Sequence, residues 1–197
     1  MKFKKIKNLC VFCGSSTGKD PAFRNETIKL GRILAAENIN LVYGGSNVGL
    51  MNILAQSVLD AGGTVTGIIP RFFISKEIAR TGLTELITVD SLQERKLRME
   101  ETADAFITLP GGYGSMDEMF EILTRAQLGL HTKPSGVLNV NGYYDGLSLL
   151  LESMTAAHLL KNENKEMLII DHDIAGLLEK LENYVPSNVS KWINHGD

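Results

Sequence analysis

The segment Pro110-Gly111-Gly112-Tyr113-Gly114-Ser115-Met116-Asp117-Glu118 places three glycines within four positions and closes on two adjacent carboxylates. It follows the apolar run Ala105-Phe106-Ile107-Thr108-Leu109 and precedes an amphipathic stretch. Glycine costs backbone entropy, so a turn this bare needs a reason. A strand, a glycine turn and a helix opening near Ser115 together make an anion site. Unpaired N–H groups at a helix start point outward, and missing side chains let the backbone approach oxygen atoms closely. A phosphate suits that geometry. A plainer reading stands beside it: Ser115-Met116-Asp117-Glu118 is S-x-x-E, a capping box in which Glu118 only bonds back to the Ser115 N–H. An ordinary cap does not need three glycines, and that favours a ligand.

A second group of candidates lies upstream. Ser91-Leu92-Gln93-Glu94 reads as a capping box opening a helix over 91–103. Helical spacing puts Arg95 and Lys96 on the face shared by Leu92, Met99 and Ala103. Two cations in an apolar stripe imply a polar cleft or an anionic partner, unless their long stems snorkel to water. Glu94 and Arg98, four residues apart, read as a solvated pair.

Other motifs exclude more than they assign. Gly14-Ser15-Ser16-Thr17-Gly18-Lys19-Asp20 resembles a P-loop but has three residues between its glycines, and Asp20 stands where Ser or Thr would hold magnesium. The loop can still offer N–H groups to an anion, or be a simple turn into a helix led by Pro21. Gly44-Gly45-Ser46-Asn47-Val48-Gly49 has the wrong spacing for a dinucleotide fingerprint, and no acidic residue lies at the ribose-reading distance. Cys10 and Cys13 form a C-x-x-C, but Cys10 sits inside a strand pattern and a zinc site needs two further ligands. They are expected to be reduced thiols in the core. The histidines at 131, 158, 172 and 195 share no spacing, so no metal site is expected.

The elements that must position these residues alternate along the chain. Apolar runs at 9–13, 40–43, 64–69, 85–89, 105–109, 136–140 and 168–170 predict strands. Amphipathic patterns near 22–37, 49–61, 91–103, 115–128, 144–158 and 174–184 predict helices. Such alternation predicts a Rossmann-like, doubly wound α/β fold: a mostly parallel sheet with helices on both faces. With 197 residues, 44% of them hydrophobic, and no linker or repeat, one domain is expected, its core spanning about 9–184. In such folds ligands bind beyond the carboxyl ends of the strands, where three small-residue turns gather. The net charge of −3 gives no field for nucleic acid. The basic start, Met1 to Lys7, is followed by too short an apolar run for a signal peptide, and no run approaches a membrane span. A soluble, cytoplasmic protein is expected.

These residues resemble the Lonely Guy (LOG) phosphoribohydrolases, which activate cytokinins and are often mislabelled as lysine decarboxylases. The resemblance runs from about Leu9 to Tyr184. It is carried by Val11-Phe12-Cys13-Gly14-Ser15-Ser16, Leu41-Val42-Tyr43-Gly44-Gly45, Gly67-Ile68-Ile69-Pro70, Glu94-Arg95-Lys96, Ala126-Gln127-Leu128-Gly129 and Gly142-Tyr143-Tyr144-Asp145. Above all, Pro110 to Glu118 matches the family's P-G-G-x-G-T-x-x-E, with Ser115 for Thr. The resemblance implies hydrolysis of the N-glycosidic bond of a nucleoside 5′-monophosphate, AMP or an N6-prenylated AMP, to free base and ribose 5-phosphate. It makes Arg95 and Glu118 the catalytic pair. Glu77, Lys96, Gly111, Gly112, Tyr113, Gly114, Ser115, Met116, Asp117 and Thr124 become substrate contacts, with Gly14, Ser15, Gly44 and Gly45 as further candidates. No metal or cofactor is implied, and a homodimer is. Departures at Ser46, Asn52, Gln93 and Arg125 bear on base preference. The alternative is a non-catalytic nucleotide or molybdenum-cofactor carrier on the same fold. Decarboxylation with pyridoxal phosphate lacks a lysine that could serve as Schiff base.

Overall fold

The computed structural model describes residues 6–74 and 78–186. Seven strands form one all-parallel sheet: β1 (Asn8–Phe12), β2 (Asn40–Tyr43), β3 (Val65–Pro70), β4 (Glu85–Val89), β5 (Ala105–Thr108), β6 (Ser135–Leu138) and β7 (Leu168–Asp171). Their order is β4-β3-β2-β1-β5-β6-β7. The chain therefore winds outward from β1 to β4, crosses back to lay β5 beside β1, and winds outward again. The switch point lies between β1 and β5. Loops leaving those two strands diverge there and open a crevice, as the fold's topology requires.

Five longer helices connect the strands, α1 (Pro21–Ala36), α2 (Gly49–Asp60), α4 (Leu92–Thr102), α5 (Tyr113–Gln127) and α6 (Asp145–Ala156), and a sixth, α8 (Ile174–Glu182), follows β7. The short helices α3 (Arg71–Ile74) and α7 (Asn162–Lys165) and a 3-10 turn (Val140–Gly142) add to the expected set. One turn of helix carries too few periodic positions to be seen in a sequence pattern. None of the described helices is long and apolar enough to cross a membrane.

Alternation along the strands sends side chains into two layers. Leu9, Val11 and Cys13 pack with Leu41 and Tyr43 against α1 and α2, whereas Cys10 and Phe12 pack with Val42, Phe106 and Met99 on the opposite face. The strand period of two thus separates the two cysteines of the C-x-x-C across the sheet. Both are buried and unbridged, and burial pushes both thiols well above their ordinary pKa.

Candidate active site

The glycine turn after β5 opens a helix two residues earlier than its letters suggest. Gly112 is the N-cap of α5, with no side chain capping it, so Tyr113, Gly114 and Ser115 form the first turn. The expected capping box is therefore absent. Ser115 lies inside the helix, buried, with its Oγ packed so close to Gly111 that a Cβ there would fall 2.1 Å from it. Glu118 does not fold back on the helix start. It points across to α4 and accepts a hydrogen bond from Arg95 Nη2 at 3.0 Å. Four amides, from Gly112 to Ser115, are left without the partners that a helix interior supplies. Space over Gly112 and Gly114 is open: a Cβ at either would meet nothing within 4 Å.

The Arg95–Glu118 pair is largely shielded from water, with 14% and 12% of the two side chains exposed. Burial raises the Glu118 pKa, Arg95 pulls it back, and Asp117 adds to the rise; the net is upward. Arg95 reaches this place over bare backbone. A Cβ at Gly44 would lie 2.1 Å from Arg95 Nη2 and 3.0 Å from its Cζ. Gly45 turns through a left-handed φ of 72°, and its carbonyl accepts the Arg80 N–H at 2.9 Å. Gly44 and Gly45 thus make room for the arginine and turn the chain.

Lys96 also points at α5. Its Nζ bonds Asp117 at 2.9 Å and contacts Glu121. Burial lowers its pKa, but the hydrogen bonds to Glu121 and Asp117 outweigh that and the net is upward. A Schiff-base lysine needs the opposite shift. Thr124 is exposed and follows Asp117 and Glu121 along one stripe of α5, at i, i+4 and i+7. Tyr113 is almost wholly exposed and Met116 is half-buried. Glu77 lies outside the described residues. Glu94 and Arg98 do not pair with each other: Glu94 completes the Ser91 cap by accepting from the Asp90 N–H at 2.8 Å, and Arg98 bonds Glu101. Leu92, expected on the buried stripe, is 46% exposed.

The loop after β1 forms the other wall. Gly14 to Gly18, Phe23, Leu50, Pro110 to Gly112 and Tyr143 line a cleft of about 260 Å³ at the switch point. The Gly14 N–H is already bonded to the Pro110 carbonyl at 3.1 Å, so Gly14 ties the two loops together. Ser15 is exposed on the rim. Asp20, where a P-loop would carry Ser or Thr, caps α1 by accepting the Ala22 N–H at 2.8 Å. Three site residues were given no role by their letters: Glu121, Tyr143 and Tyr144. Glu121 stands four residues after Asp117, a spacing that could have paired it with Lys96. The tyrosines were visible only as part of a resembling segment.

A seven-stranded parallel sheet with a shielded carboxylate–guanidinium pair beside an uncapped glycine turn defines a Rossmann-like α/β protein with a crevice at its switch point. The chain belongs to the Lonely Guy family, whose model carries the description "possible lysine decarboxylase" and matches residues 51–181. The cytokinin riboside 5′-monophosphate phosphoribohydrolase LOG2 of Arabidopsis thaliana is 41% identical over 98% of this chain and 93% of its own. The probable cytokinin riboside 5′-monophosphate phosphoribohydrolase LOGL1 of Oryza sativa subsp. japonica is 43% identical over 93% of this chain and 82% of its own. Among solved structures, the molybdenum cofactor binding protein of Rippkaea orientalis superposes with a TM-score of 0.67 at 21% identity, covering 91% of this chain and 97% of its own. The Moco carrier protein of Chlamydomonas reinhardtii gives 0.67 at 16% identity, covering 91% and 97%. At such identities the likeness is one of fold.

Proposed function

We propose that this chain hydrolyses the N-glycosidic bond of a nucleoside 5′-monophosphate, AMP or an N6-prenylated AMP, releasing the free base and ribose 5-phosphate. The observation that carries this reading is the shielded Arg95–Glu118 pair at 3.0 Å, one helical turn below an uncapped run of amides, in a chain 41% identical to a named phosphoribohydrolase. A carrier needs the amides alone; it has no use for a buried carboxylate held by a permanent cation.

The chemistry follows from the parts. The amides of residues 112–115 and the Ser115 hydroxyl receive the 5′-phosphate, fixing the sugar against α5. As the C1′–N bond lengthens, its electron pair leaves with the base and the ribose gains oxocarbenium-like positive charge. Glu118 faces that charge and accepts a proton from the water that attacks C1′. Its raised proton affinity suits a base working nearer neutrality than an ordinary carboxylate would. Guanidinium groups do not release protons in proteins, so Arg95 orients Glu118 and stabilises negative charge on the departing base, which takes its proton from solvent. Lys96 and Asp117, with Glu121 and Thr124, form the outer edge beside the pair.

A homodimer accompanies this reading. Phe72, Ile74, Leu86, Leu92 and Leu97 expose apolar surface on and around α3, β4 and α4, the side from which Arg95 enters the site. Two unbridged buried thiols suit a reducing, cytoplasmic setting.

The test is incubation of the purified chain with AMP and with N6-isopentenyl-AMP, following free base and ribose 5-phosphate. Release from either is expected. Glu118→Gln should still bind nucleotide while turnover falls by ~10²–10⁴, the usual contribution of a general base. Unchanged turnover in that variant, or tight binding with no release by the parent chain, would reject the reading.

A further inference from the structure

We infer that Tyr143 aims the Gly112 amide of the glycine turn, which makes it a positioning residue for phosphate recognition; the inference rests on the phosphoribohydrolase reading of this site. In a planar trans peptide, the carbonyl of one residue and the N–H of the next point in opposite directions. Whatever holds a carbonyl therefore sets the direction of the following amide.

Three successive carbonyls of this turn are held from outside. Leu109 O accepts from the Tyr144 hydroxyl at 2.7 Å. Pro110 O accepts from the Gly14 N–H at 3.1 Å. Gly111 O accepts from the Tyr143 hydroxyl at 2.7 Å. The Pro110 and Gly111 bonds fix the amides of Gly111 and Gly112 on the opposite side of their peptide planes. The Gly112 amide opens α5, where no side chain supplies a cap.

Glycines on both sides of the Gly111–Gly112 peptide make this restraint necessary. Without Cβ atoms, that peptide can rotate at little steric cost. Rotated, it would present the Gly111 oxygen to an incoming anion, and a repulsive dipole would replace an attractive one. Tyr143 removes that alternative by occupying the oxygen.

The tyrosines are themselves held. The Tyr143 ring stands edge-on to Phe23 at 5.3 Å and to Tyr144 at 4.9 Å. The turn before them passes through left-handed Asn141 and Gly142. The Tyr144 N–H bonds Asn139 Oδ1 at 2.7 Å, and Asn139 Nδ2 bonds Asp145 at 2.7 Å. Residues 139–145 thus form a braced turn that carries the Tyr143 hydroxyl to the Gly111 carbonyl.

Tyr143→Phe tests this, because it deletes the hydroxyl and keeps the ring. KM for AMP should rise about fivefold to tenfold, the worth of one net hydrogen bond, with kcat changed by less than about twofold. Inhibition by ribose 5-phosphate should weaken by the same factor, and inhibition by adenine should not move. A thermal melt of Tyr143→Phe separates any loss of folded protein. A purely structural role would weaken adenine and ribose 5-phosphate alike, and that result, or unchanged KM, overturns the inference. If the parent chain releases no base from AMP or N6-isopentenyl-AMP, the site reading falls and takes this inference with it. A working parent with an indifferent Tyr143→Phe removes the inference alone.

Discussion

Gly44→Ala is the smallest perturbation that reaches the proposed catalytic pair. Its new Cβ would stand 2.1 Å from Arg95 Nη2 and 3.0 Å from Cζ, with Met51 Sδ at an ordinary 3.4 Å. To regain a contact of ~3.5 Å, the nitrogen must retreat by about 1.4 Å. The bond it makes to Glu118 is 3.0 Å long, so a retreat of that size lengthens or re-aims it past useful geometry. The main chain has no such difficulty. Gly44 is not in the left-handed region, the clashing atoms end a flexible side chain, and a Gly→Ala change restricts the unfolded chain by ~0.4–1 kcal/mol in the protein's favour. Folding should survive with a Tm close to the parent's.

Catalysis should not survive unharmed. A misplacement of about 1 Å costs on the order of 10²-fold in rate, or ~2.7 kcal/mol at the barrier. A second signature accompanies it. Arg95 is what holds the Glu118 pKa down against burial, so withdrawing it raises that pKa further. The acidic limb of the kcat/KM profile should move to higher pH, and part of the lost rate should return as pH rises. The assay is base release from AMP across a pH series, beside a thermal melt. A variant with parental kcat/KM and an unmoved acidic limb would show that Arg95 does not govern Glu118.

Two further outcomes concern the parent site. Glu118 acts as a base only when ionised, and burial raises its pKa, so the parent's acidic limb should lie above the ~4.3 of a free glutamate. Between the unfolded and the raised folded pKa, the folded state holds more protons, so stability falls as pH rises through that window; urea melts should show this slope, and Glu118→Gln should abolish it. Gly114→Ala, in the first turn of α5 with nothing within 4 Å of the new methyl, should stabilise by ~0.5–1 kcal/mol. It should nevertheless weaken ribose 5-phosphate binding severalfold, as read by inhibition of AMP hydrolysis. A stabilised variant with parental affinity would mean that the phosphate does not approach there.

The sheet was legible because its strands are short apolar runs separated by amphipathic helices of full length; all seven strands and six longer helices fall within two residues of their predicted places or closer. The site was legible less evenly. Ser115 through Glu118 spelled a capping box that the chain does not form, because Gly112 and Tyr113 can already enter the helix and no local signal reports the pull of Arg95 on Glu118 from 23 positions away. Gly44 was visible as a glycine at a strand end, but its use, room for a distant guanidinium, depends on β2 and α4 meeting in space. Tyr143 and Tyr144 were hidden for the same reason. Their hydroxyls act 32 and 35 residues back along the chain. Local chemistry reads out of a sequence; partners chosen by topology do not.

The seam between α4 and α5 shows how topology then becomes precise. Both helices run in the same sense, and their facing charges change sign partway along. Arg95 and Lys96 meet Glu118, Asp117 and Glu121, whereas further on Glu100 meets Arg125. Glu100 is buried, and Arg125 holds both its oxygens, one at 3.2 Å. Sliding α5 by one turn against α4 would set Glu100 beside Glu121 and strip Arg125 of its partner, leaving a buried carboxylate among like charges, an arrangement costing several kcal/mol. Alternating charge therefore admits one register and rejects its neighbour. That register is the one in which Arg95 meets Glu118. The Glu100–Arg125 pair, two turns along α5 from Glu118, thus sets the geometry of a site it does not touch.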